Sequence, residues 1–329
     1  MNITESGRKW AWTAVRVAAS TAALAWVLHV TPLNTVIQAL QASNLPLLVL
    51  GVLMNVATRV AAAERTLVMN RGLGLLVSRW QTLETLFISN FYSLLSPGPW
   101  LSGVVSVYRY KSFGTSVAGG VSSLLASRGV EFVVIIIWGF ACALLDPHVS
   151  AASIRHPLQV GALCLLMATC GIVLWLSVHR RFKAAGFERN GVALLRHRVF
   201  AKVADVWSQI AAQGVYVALK ASVPASLQIL LSGAALMVLA SSLQVDISWM
   251  SGIWISAAVY AAVLLPISIA GLGVREITLV KSFALLGFAP RTAVAVSVLL
   301  FLDQLVSALI GGLLQISSII VRTRRVSQF

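Results

Sequence analysis

The chain has 329 residues, of which 58% are hydrophobic and only 11% charged, well below the roughly 25% charged residues of soluble domains. Apolar runs long enough to cross about 30 Å of hydrocarbon recur from end to end, and no polar stretch is long enough for a separate soluble domain. Lysine and arginine outnumber aspartate and glutamate by 25 to 10, but the basic residues sit in short loops between apolar runs. That pattern fits the positive-inside rule and anionic headgroups, and it argues against nucleic acid as a partner.

In chain order, Trp10 to Val30 reads as a first span with Arg8, Lys9 and Arg16 at its cytoplasmic end. The following TPLNTV offers no small-residue cleavage site, so the span is expected to be retained. Residues 31–44 carry no charge, which suits the outer face. Leu45 to about Ala63 then returns, and Arg59, Arg65, Arg71 and Arg79 are read as holding the next region in the cytoplasm. From Trp80 to Lys111 an apolar segment runs into Pro97, Gly98 and Pro99, then Gly103, and ends on Arg109 and Lys111. Basic residues at both ends predict a hairpin that enters and leaves on the same side, with an elbow near 94–111. Thr115 to Leu145 is a long span, with Arg128 and Glu131 three residues apart on one helical face. Asp146 and Pro147 suit an outer turn, and Pro157 to Val178 comes back in.

Residues 179–202, HRRFKAAGFERNGVALLRHRVFAK, form the strongest topological signal and are expected in the cytoplasm, as a solvated loop or a docking face for anionic lipid or an acidic partner. Ala204 to Ala221 is open between a span and an interfacial helix. Val223 to Gln244 and Trp249 to Leu265 are apolar, and Ala293 to Val321 is a final span ending in Arg322, Arg324 and Arg325. With Ala204 to Ala221 spanning, the count is about eight crossings with both termini inside. Cys142, Cys164 and Cys170 lie in apolar segments without CxxC spacing, so neither a disulfide framework, a metal nor another cofactor is expected.

The chain is organised around Leu264 to Gly287, LLPISIAGLGVREITLVKSFALLG. Pro266 removes a backbone donor, and Gly271 and Gly273 each lower helix stability by roughly 1 kcal/mol, so the backbone should unwind or bend here. Non-helical backbone at membrane depth requires protein or water to satisfy it, which predicts a re-entrant or broken helix facing a polar cavity. This second elbow resembles the first, LLSPGPWLSGVVSVYRYKSFG, and each precedes a long helix opening VSSLLASR (121–128) or VSVLLFLD (296–303). Pro97 to Pro266 is 169 residues and Val121 to Val296 is 175, about half the chain. The expectation is an inverted repeat within one membrane domain, residues 1–178 against 203–329.

Near the elbows stand the cations Arg109, Arg128 and Arg275 and the acids Glu131, Glu276 and Asp303. Arginine presents a planar fork suited to phosphate and keeps its charge, so a phosphate-bearing lipid headgroup is the natural guest. A structural alternative stands beside each: Arg128 with Glu131 and Arg275 with Glu276 as internal ion pairs, Arg109 as a helix end, and Gly271 and Gly273 as close-packing positions.

The motif PISIAGLGVRE, followed by an apolar run and LLGFAP, resembles the second-half signature of the lysylphosphatidylglycerol synthase transmembrane-region family. The Pro-Gly elbow at Ser96 to Gly103 and the helix bearing Arg128 extend the resemblance over most of the chain. It implies a membrane protein that moves or presents lipids with amino-acid or sugar headgroups. Pro266, Gly271, Gly273, Arg275, Glu276 and Arg128 match the family pattern, whereas Ser127 stands where relatives have an acid, and Ser102, Gly103 and Ser106 replace the usual charged elbow of the first half. The leading expectation is a flippase or transporter of an anionic, aminoacylated or glycan-linked lipid in a bacterial cytoplasmic membrane. A non-transporting partner of a lipid-modifying or glycan-synthesising enzyme is the alternative, and a homo-oligomer is left open. With no metal-binding acid pair and no Ser-His-Asp set, an enzyme is not expected.

Overall fold

A computed structural model describes residues 41, 43–94, 100–149, 206, 208–210, 212–263 and 273–326, with side chains described except at 100 and beyond 318. The described residues are helical and contain no strand. The first run is α1 (Leu45–Gly72), α2 (Arg79–Ser93), α3 (Trp100–Ser112) and α4 (Val117–Leu145). The second is α5 (Gly214–Ser242), α6 (Trp249–Val263), α7 (Val274–Leu285) and α8 (Pro290–Val326). Each run is therefore long, short, short, long.

The local chemistry sets these boundaries. Ser78 caps α2 by accepting from Gln81 N–H at 3.2 Å, while Ser78 N–H donates to the Gln81 side chain at 2.9 Å. Ser116 does the same for α4, accepting from Gly119 N–H at 2.9 Å. Equivalent helices also end alike. Gly114 (φ 91°) closes α3 and Gly287 (φ 83°) closes α7, and the next residue donates back across the turn in both, Thr115 N–H to Tyr110 O and Phe288 N–H to Phe283 O.

The packing repeats with the sequence. α2 packs on α8 as α6 packs on α4, α3 packs on α4 as α7 packs on α8, and α1 and α5 form the central pair. That pair is antiparallel. Asn44 N–H, at the start of α1, donates to Ser242 O at the end of α5 (2.7 Å), and Gln213 at the start of α5 donates to Met69 O near the end of α1 (3.2 Å). Equivalent helices running in opposite directions make the duplication an inverted repeat, as the two similar elbows predict. The main apolar core lies among α4 to α8, around Ile229, Leu236, Ile253, Leu279 and Phe283.

Four helices, α1, α4, α5 and the 290–318 part of α8, are long and apolar enough to cross a membrane. The expected spans at 10–30 and 157–178 and the basic loop at 179–202 lie outside the described residues, as do Cys164, Cys170, Pro97 to Pro99, Pro266 and Gly271. α6, described from Trp249 to Val263, has 15 residues, about 22 Å at 1.5 Å per residue, and pairs with α7 as α2 pairs with α3. Two expectations change. Ala204 to Ala221 is not one element, because the chain turns at Gly214 (φ 74°) and residues 214–221 are the first turns of α5. Finally, α1 does not stop near Ala63 but continues to Gly72. Arg59 and Arg65 are thus inside a candidate span, and Arg65 is 3% exposed.

Candidate functional site

The two runs meet around a cavity of about 970 Å³, and every one of the eight helices contributes to its wall. That is the upper range for sites that enclose a small molecule or headgroup. Among the described lining residues five are cationic, Arg59, Arg65, Lys111, Arg128 and Arg275, against two carboxylates, Glu131 and Asp303. The charge inside is therefore net positive.

Glu131 is the hub of one wall. It is joined to Arg65 of α1 at 3.0 Å and to Arg128 one turn back at 2.7 Å, and it accepts from Gln228 Nε2 of α5 at 2.9 Å. Arg65 also donates to the Gln228 side-chain oxygen and, at 3.1 Å, to Ser127 Oγ. The hydroxyl of Ser127 is thus absorbed into the arginine's shell. Glu131 and the Arg65 side chain are buried, while the Arg128 side chain is 46% exposed. One edge of the Arg128 guanidinium is pinned by Glu131 and the rest remains available to a guest, a geometry suited to phosphate.

The opposite wall is built on the second elbow. Gly273, at φ 84°, turns the chain into α7, and its N–H donates to the Glu276 carboxylate. Glu276 also holds Arg275 at 2.8 Å and accepts from Ser297 Oγ of α8 at 2.7 Å. Arg275 reaches Gln304 at 3.3 Å and lies 5.5 Å over the Phe301 ring, which fixes it against α8 at the cavity edge. Glu276 therefore acts behind Arg275 and is not itself a lining residue.

The structure brings Arg128, Glu131, Arg275 and Asp303 together at one cavity. Arg109 is placed elsewhere: it pairs with Glu84 of α2 at 2.7 Å and bonds Thr85 and Gln315, stitching α3 to α2 and α8. Pro266 and Gly271 lie outside the described residues. Arg59, Arg65 and Gln228 were not anticipated as site residues. Their signal is present, however, since Asn55, Arg59, Ala62 and Arg65 recur at three- and four-residue spacing on one face of α1, and Gln228 and Ser232 do so on α5. Polar residues at helical spacing inside an apolar run mark a cavity face.

The first elbow contributes neutral groups. Ser89, Asn90 and Ser93 of α2 face Ser102 and Ser106 of α3 at the cavity, and Ser89 and Ser106 hydroxyls are bonded at 2.7 Å. The cavity thus has a charged side and a hydroxyl-rich side.

No curated protein matches the sequence. Residues 13–312, most of the chain, match the family described as "Lysylphosphatidylglycerol synthase TM region". This agrees with the apolar spans, the two elbows and the arginine-bearing helices, and the chain belongs to that family of membrane proteins, linked by its name to lysylphosphatidylglycerol synthesis.

Proposed function

We propose that the protein moves a phosphate-bearing lipid between the leaflets of a bacterial cytoplasmic membrane, taking the headgroup into the cavity between its two halves. The observation that carries this reading is the five cationic side chains that line one cavity among apolar helices, against Glu131 and Asp303 on its wall and Glu276 behind Arg275. Glu131 is shared by two arginines and the cations outnumber the carboxylates around them, which favours an anionic guest, because uncompensated charge away from water is costly. Arg128 and Arg275 are assigned to the phosphate. Glu131 and Glu276 hold those arginines in place and are positioning residues. The inverted repeat supports transport over chemistry, since a site at the junction of two oppositely oriented halves can open to either side as they rock. Both termini are assigned to the cytoplasm by the basic residues near them.

The test is translocation in proteoliposomes with fluorescent phosphatidylglycerol, its lysyl form and a neutral lipid, comparing wild type with Arg275→Ala and Arg128→Ala. Movement of a phosphate lipid by the wild type and its loss in both variants is the expected result. If the wild type leaves every lipid in place, transport is refuted for these substrates, and the protein is better sought as a partner of a lipid-modifying or glycan-synthesising enzyme.

A further inference from the structure

Three arginines are bonded into the walls of the cavity, and they differ in which nitrogens remain for a guest. Arg65 commits Nε to Ser127 and Nη1 to Gln228 and Glu131, and it is 3% exposed. Arg275 has every nitrogen engaged. Its Nε and Nη2 both donate to Glu276 Oε1, at 3.2 and 2.8 Å, and its Nη1 donates to Gln304 at 3.3 Å. Arg128 is bound through Nη1 alone, to Glu131 at 2.7 Å. Its Nε and Nη2 have no partner among the described residues, and its side chain is 46% exposed.

Nε and Nη2 form one edge of a guanidinium, an edge that meets two oxygens of a phosphate in parallel. At Arg128 that edge is open to the cavity. At Arg275 it is closed by the Glu276 carboxylate, whose Oε1 stands where a phosphate oxygen would bind. Ser297 Oγ of α8 donates to the same oxygen at 2.7 Å, and Gly273 N–H donates to the other, so the carboxylate is itself held in place. The repeat makes these two different positions, not two copies of one. Arg128 lies 7 residues past Val121 (128 − 121), where the second half has Asp303, 7 past Val296 (303 − 296). Arg275 lies 12 residues before Gly287 (287 − 275), where the first half has Ser102, 12 before Gly114 (114 − 102). An exchange of shape between the halves therefore turns neither arginine into the other, and a phosphate that reaches both must meet them in turn.

We propose that Arg128 alone captures the headgroup phosphate in the arrangement of this structure, and that Glu276 is an internal competitor that reserves Arg275 for a later step, taken when carboxylate and phosphate exchange places. Capture at Arg128 stands on the geometry of the three guanidiniums. The later step deepens the transport reading and rests on it.

The test titrates the full chain, in dodecyl maltoside micelles that carry no phosphate, with phosphatidylglycerol and with diacylglycerol of the same chains. The ratio of the two affinities is the contribution of the headgroup. The wild type should favour phosphatidylglycerol by about tenfold or more, and Arg128→Gln should remove that preference, since it deletes two charge-assisted hydrogen bonds while Glu131 keeps Arg65. Arg128→Lys keeps the charge without the fork and should remain about threefold or more below the wild type. Arg275→Gln with Glu276→Gln removes the closed pair at constant net charge; the preference should stay within about twofold, while translocation in proteoliposomes is lost. Arg128→Gln with Glu276→Gln frees the Arg275 edge and should restore most of what Arg128→Gln lost. Each value is a ratio on protein that binds, so loss of folded material does not change it. No preference in the wild type, a preference unmoved by Arg128→Gln or fully kept in Arg128→Lys, an equal loss on removing the Arg275–Glu276 pair, or no recovery on freeing Arg275 overturns the assignment. The expected binding pattern without translocation by the wild type keeps capture at Arg128 and refutes transport. Translocation that survives loss of the Arg275–Glu276 pair keeps transport and overturns the later step.

Discussion

Replacing Glu131 by alanine should be among the most disruptive single changes in the protein, and its effect can be worked from the geometry. The carboxylate holds Arg65 at 3.0 Å, Arg128 at 2.7 Å and Gln228 at 2.9 Å. Arg128 is half exposed to the cavity and loses little, but Arg65 is 3% exposed and would be left as a buried charge. Removing one partner of such a pair costs roughly 3–5 kcal/mol, whereas removing both charges with apolar residues of similar volume is often close to neutral. Glu131→Ala is therefore expected to lower the unfolding midpoint in detergent by several degrees, and the double variant Arg65→Met with Glu131→Leu to recover most of that loss. Thermal unfolding followed by intrinsic tryptophan fluorescence, with the double-variant cycle completed, measures both. A double variant as unstable as Glu131→Ala, or a single variant within about 1 kcal/mol of wild type, would refute the account of the cluster as a buried charge hub.

Three further outcomes are expected. Gly311 lets α8 touch the backbone of α2, and a Cβ there would lie 2.1 Å from Phe87 O, so Gly311→Ala should destabilise by about 1–3 kcal/mol, read as the same midpoint shift. At Gly273 a Cβ meets no atom within 4 Å, so the cost of Gly273→Ala comes from φ 84° alone, roughly 1–2 kcal/mol; a stability loss below the error of the measurement would refute the strained turn into α7. Asp146, just past the C-terminal end of α4, accepts from Ser251, from Trp254 Nε1 at 2.9 Å and from His148 N–H at 3.1 Å. Burial pushes this carboxyl up, but the hydrogen bonds outweigh it and hold it below the ordinary carboxylate value. A carboxyl so held contributes stability above the unfolded-state value near 4 that is lost as pH falls through the folded one. Asp146→Asn should accordingly flatten the acid side of the stability profile, measured by unfolding between pH 3 and pH 7.

What was legible in the sequence was mostly local. The long helix expected over 115–145 is α4 at Val117–Leu145, and the Arg128–Glu131 pair follows from three-residue spacing. The first elbow appears as α2 and α3 on either side of Pro97, and the repeat was visible because turn chemistry recurs at half the chain length. Two kinds of reasoning fell short. Arg59 and Arg65 were counted as charges that hold a loop in the cytoplasm, a rule that ignores which face of a helix they occupy; the cavity at the junction of two halves gives them a place inside a span. Ala204 to Ala221 was read as one element because hydropathy does not register the turn at Gly214, where φ is 74°. The partner of Arg109, Glu84, stands 25 residues upstream on the other arm of the hairpin and is reached only once α3 folds back on α2.

The unequal pairing across the cavity bears on how the protein would rest when empty. In a machine that works by each half taking up the other's shape, identical halves would make the two end states degenerate and equally occupied. Here α4 and α5 are joined through Glu131, which has three donors, while α1 and α8 carry Arg59 and Asp303 with no ion pair between them among the described residues. Exchange of shapes would have to break the first set without a matching set to form on the other side. A gap of a few kcal/mol between the end states is enough to leave the minor one at a few per cent or less, and a guest would change that gap by its differential affinity alone.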